Sequence, residues 1–132
     1  PEGKDTYRKN YRAFLKEIAD LDAELWENLK GVRGKKFIVF HPAWGYFAND
    51  YGLIQVSIEA EGKEPKGADL ARLIEMARLE GTKAILVSPQ DSKAGAKVIA
   101  DAIGARLAEI DPLAEDWAEN LKAVSKILAE VL

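Results

Sequence analysis

Four residues stand where ligand chemistry is usually done. His41 follows the run Phe37-Ile-Val-Phe40, Glu59 follows Leu53 to Ile58, Ser88 follows Ala84-Ile-Leu-Val87, and Asp111 follows Leu107 to Ile110. Each run reads as a short strand. If the strands are parallel in one open sheet, the four residues line the rim beyond their carboxyl ends, where such sheets bind ligands. His41 is the only histidine. Both His41 and Asp111 precede proline, which biases them to extended backbone and holds the next helix away. A neutral imidazole and a carboxylate converging on one rim are sensible ligands for a borderline divalent metal such as zinc.

The same residues admit blander readings. His41, beside Trp44, Tyr46 and Phe47, also fits a partly buried ring satisfied by hydrogen bonds. An aspartate before proline is more often an Asx turn or a helix cap than a ligand. Glu59, Glu61 and Glu64 read as a solvated acidic loop, and the Trp and Tyr residues at helical spacing read as core. His41, Ser88 and Asp111 make a catalytic triad on paper. No oxyanion-hole signature accompanies them, and no glycine-rich phosphate loop, nucleophile elbow or His-Glu-x-x-His is present. The expectation is a binding protein, not an enzyme.

Positioning that rim requires an ordered series of elements. Residues 4–30 read as one long amphipathic helix, with Tyr7, Tyr11, Phe14, Ile18, Leu21, Leu25 and Leu29 at steps of three and four. Gly31 and Gly34 end it. The four strands then alternate with helices over 43–50, 69–79 and 92–103, and a last helix starts near Glu115 with Trp117, Leu121, Val124, Leu128 and Val131 inward. Alternating strands and helices with short connections predict a three-layer α/β/α sandwich on a four-stranded parallel sheet, preceded by the long helix. The segment 59–67 is the one polar loop long enough to be mobile.

Composition bounds the function. At 132 residues, 48% hydrophobic and 31% charged, the chain is an ordinary globular domain. A net charge of -3 leaves no basic footprint for nucleic acid. No apolar run approaches the length needed to span a bilayer. The absence of cysteine removes disulfides, thiolate ligands and a cysteine nucleophile together. The sequence opens at Pro1 with neither an initiator Met nor a signal-peptide pattern, which suggests a processed, trimmed or recombinant fragment.

The segment His41-Pro-Ala-Trp-Gly-Tyr-Phe-Ala-Asn-Asp-Tyr-Gly-Leu53 resembles the H-D-A-[FY]-G-Y-F…[YF]-G-L motif of the zinc and manganese substrate-binding proteins of ABC transporters (cluster A-I, the ZnuA/TroA type). Ser88-Pro-Gln90 is similar to that family's E-P-Q segment, Ile110-Asp-Pro-Leu113 to its L-D-P-L segment, and Pro1 to Asn10 to the start of its long backbone helix. The resemblance covers essentially the whole chain. There are three departures. Pro42 replaces the usual Asp after the histidine, Trp44 replaces Phe or Tyr, and Ser88 replaces the Glu of E-P-Q.

What the resemblance implies is a metal clamped between two α/β lobes joined by a rigid helix. Residues 1–30 then correspond to the linking helix and 31–132 to the carboxyl-terminal lobe. His41 falls on the third histidine of the family's site, and Asp111 on the position of a carboxylate ligand in some members. The implied function is extracytoplasmic capture of zinc or manganese for a membrane permease, with the cation held weakly by this lobe alone. Self-association or domain swapping through the long helix is a further expectation. A metal-independent interaction or adhesion module on the same fold is the alternative.

Overall fold

The computed structural model describes residues 2–59, 63, 65–91 and 93–132. Glu61, Glu64 and the expected helix start at Ser92 lie outside them. The elements follow in the order α1 (Lys4–Leu29), a 3-10 turn (Lys30–Val32), β1 (Lys36–Val39), α2 (Gly45–Asp50), β2 (Ile54–Ser57), α3 (Ala68–Leu79), β3 (Ala84–Val87), α4 (Lys93–Ile103), β4 (Arg106–Glu109) and α5 (Trp117–Val131). The four strands form one parallel sheet in the order β2-β1-β3-β4. The α/β architecture expected from the alternation is therefore the one observed.

The side-chain alternation of the strands sorts the core into two layers. Phe37, Val39, Ala84, Leu86, Ala108 and Ile110 face α1, α2 and α5. Ile38, Phe40, Ile85 and Val87 face α3 and α4, against Ala77, Ala96 and Ile99. The central strand β3 is buried at all four residues, which explains its unbroken Ala-Ile-Leu-Val run. Gly52, with φ of 69°, closes α2 in a left-handed conformation that only glycine adopts freely.

α1 is about 39 Å long at the helical rise per residue. Its apolar stripe is covered only toward its carboxyl end, where Leu21, Leu25 and Leu29 join the same core cluster as Val124, Leu128 and Val131 of α5. Farther toward the amino end, Tyr7 is 72% and Tyr11 62% exposed. The expectation that Trp and Tyr are core residues thus holds for Trp44 and Tyr51 but not for Tyr7, Tyr11 or Tyr46. Trp117 is also partly exposed and meets Phe14 edge-on at 5.9 Å.

Candidate functional site

The strand order places the functional rim. β1 is followed by a crossover to one side of the sheet and β2 by a crossover over β1 to β3, so the order in which strands are added reverses between the parallel neighbours β1 and β3. That is the topological switch point, and it opens a crevice at the carboxyl ends of these two strands. Val39, His41, Trp44, Leu86, Ser88 and Pro112 line it, with a volume of about 10 Å³, room for a single water.

Register decides which rim residues meet. Val39 pairs with Ser57 and the ladder continues through Ile58 N–H to Val39 O (2.8 Å) and Glu59 N–H to Phe40 O (3.0 Å). Continuing that register sets residue 59 beside residue 41. His41 Nδ1 lies 2.9 Å from Glu59 Oε2. The imidazole is 56% exposed while the carboxylate is only 17% exposed, so Glu59 is not the solvated loop residue its neighbours suggested.

On the other side of β1, Val39 pairs with Leu86, which brings Ser88 up to His41. Ser88 is buried, and its N–H donates to Asp91 Oδ2 at 2.7 Å. Asp91 thus fixes the turn that closes the crevice, a role that its sequence context did not reveal. Asp111 stands beyond β4, two strands from His41 and about 10 Å away in backbone terms. Its Oδ1 accepts from Leu113 N–H (2.9 Å) and Gln90 Nε2 (3.2 Å), which is the Asx turn expected before a proline. Among the described residues its Oδ2 accepts no hydrogen bond. His41 and Asp111 flank Ser88 on one rim.

The segment after His41 is held as firmly as the histidine. Ala43 N–H donates to His41 O at 2.9 Å, and Trp44 N–H to Gln55 Oε1 at 2.7 Å. Trp44 is buried and meets Phe47 edge-on at 5.7 Å. The bulk of tryptophan is therefore accommodated under the rim. Among the described residues no group of three or more His, Cys, Asp or Glu side chains could hold a metal ion. A hollow of about 930 Å³ beside α3 presents Lys63, Lys66 and Arg72 with Asp69 and is unsuited to a cation.

Comparison with known proteins identifies the family. A family model described as the periplasmic component A of the zinc-uptake complex, ZnuA, matches residues 1–131. The chain is 34% identical over 115 residues to the high-affinity zinc uptake system protein ZnuA of Bacillus subtilis, covering 86% of this chain and 36% of that protein. It is 32% identical over 125 residues to the zinc-binding lipoprotein AdcA of Streptococcus pneumoniae, covering 93% of this chain and 25% of that protein. A crystal structure of ZnuA superposes with a TM-score of 0.96 at 43% identity, over 99% of this chain and 51% of that one. The chain thus spans a quarter to a third of the curated relatives and about half of the solved one. It belongs to the ZnuA family, the periplasmic component A of zinc-uptake complexes.

Proposed function

We propose that this chain is the carboxyl-terminal lobe, with the linking helix of residues 1–30, of an extracytoplasmic binding protein that captures a divalent transition metal for uptake through an ABC permease. The observation that carries the reading is the place of His41, an exposed imidazole on the rim of the switch-point crevice with Asp111 on the same rim. The donor set fits the cargo. Imidazole nitrogen suits zinc, and a carboxylate oxygen suits zinc or manganese. Family membership and relatives named for zinc favour zinc of the two. Extracytoplasmic placement is supported by the family's periplasmic description and by a relative named as a lipoprotein.

Protein zinc sites want about four ligands. Two from one rim leave the cation mostly hydrated, so the remaining ligands belong to a second lobe. Capture is then a clamp: His41 and Asp111 supply one jaw, and the cation binds tightly only when the other closes. Binding and release, not bond making, is the activity. Titration calorimetry with zinc and manganese tests this. The chain alone should bind either ion weakly and with little selectivity, while His41→Ala in the intact protein should remove tight binding. Tight, stoichiometric binding by the monomeric chain, or intact protein indifferent to His41→Ala, would overturn it.

A further inference from the structure

We propose that Glu59 is a positioning residue for His41: it accepts the Nδ1 proton and so leaves the Nε2 lone pair as the atom offered to the cation. The proposal deepens the metal-binding reading and rests on it. An ionised carboxylate can only accept, so at 2.9 Å from Oε2 the proton between the two groups belongs to Nδ1. In a neutral ring Nε2 is then the acceptor. Unassisted, histidine in water prefers its proton on Nε2, which would turn the wrong nitrogen outward. Glu59 inverts that preference.

The inversion is built into the sheet. The backbone of Glu59 is pinned by its N–H to Phe40 O, one residue before His41, so the carboxylate is rooted in the same ladder that carries the imidazole. The carboxylate is largely covered while the ring stays open, the asymmetry expected of a support and the ligand it aims. Loss of a carboxylate partner behind a ligating imidazole typically weakens metal affinity 10- to 100-fold. Pro42 gives the segment no carboxylate next to the histidine, and Glu59 supplies one from the neighbouring strand.

Because His41 is the only histidine, long-range 1H–15N spectra of the labelled chain contain a single imidazole. At mildly alkaline pH the wild-type ring should show the Nδ1–H tautomer. Glu59→Ala should move it toward Nε2–H, and Glu59→Gln, whose amide oxygen still accepts, should restore Nδ1–H. Added zinc should perturb Nε2 first, and its affinity should fall about 10- to 100-fold in Glu59→Ala. A wild-type Nε2–H ring, or a tautomer indifferent to Glu59→Ala in a chain with unchanged sheet amides, overturns the positioning role. A ring whose tautomer follows Glu59 but whose nitrogens ignore zinc overturns the metal reading instead, and the positioning role for a cation falls with it.

Discussion

The hydroxyl of Tyr51 donates to Asp22 Oδ1 at 2.8 Å, tying the end of α2 to the long helix α1. The phenol ring is buried, packs on Phe47 at 4.8 Å and meets Trp26 edge-on at 6.2 Å. Arg33 in turn lies 4.4 Å above the Trp26 ring. The helix that carries the exposed stripe is thereby anchored to the segment that follows His41.

That anchor has a pH signature. Burial above all, then the hydrogen bond and charge of Asp22, raise the pKa of Tyr51 above its ordinary value. The native state keeps the phenolic proton where the unfolded chain releases it. The stability Tyr51 contributes is therefore complete below about pH 10 and lost as pH climbs from there toward the raised value. Tyr51→Phe should cost about 1 kcal/mol at neutral pH and narrow its gap to wild type in alkali. Urea unfolding of both proteins across this range checks it. A gap that stays constant would count against the coupling.

Ser125 offers a second test, on the α1–α5 seam. It is fully buried, accepts from Asn28 Nδ2 at 2.8 Å and donates to Lys122 O at 2.7 Å. Ser125→Ala leaves the Asn28 amide without this acceptor and should destabilise by about 1–3 kcal/mol. In a double-mutant cycle with Asn28→Ala the two should couple by about 0.5–3 kcal/mol. Simple additivity would show that the bond contributes little.

How much of this was legible beforehand follows from the range of the interactions. Ala84 to Val87 announces a central strand because every residue in it is apolar, and the long helix announces itself by period. Those are local signals. The meeting of His41 with Glu59 is not local, since it depends on β2 being the neighbour of β1 with Val39 opposite Ser57. Strand order and register are set by packing the two core layers, which no window of sequence contains. For the same reason the exposure of Tyr7 and Tyr11 was invisible. Their spacing is that of a core stripe, and only the position of α5 decides where the cover ends. Asp111 was legible as a turn residue because an Asx turn is a local device.

Asp111 can be asked which of its two roles matters. Asparagine retains the Oδ1 that accepts from Leu113 N–H but loses the charge. Asp111→Asn should leave thermal stability near wild type while weakening metal binding by the intact protein. Asp111→Ala should lower both. If Asp111→Asn binds the cation as well as wild type, Asp111 is a turn residue and not a ligand.

The uncovered stripe of α1 leads to the last expectation. Tyr7, Tyr11, Phe14, Leu15 and Ile18 form an exposed apolar band on one helix, larger than scattered surface residues usually make. Two copies of a helix can bury such bands against each other in an isologous contact, where each substitution acts twice. The chain alone should therefore gain mass with concentration in sedimentation equilibrium. Tyr7→Lys with Tyr11→Lys should suppress this without loss of stability, because neither ring is buried and the new charges face each other across the contact. A wild-type chain that stays monomeric at high concentration would rule the association out.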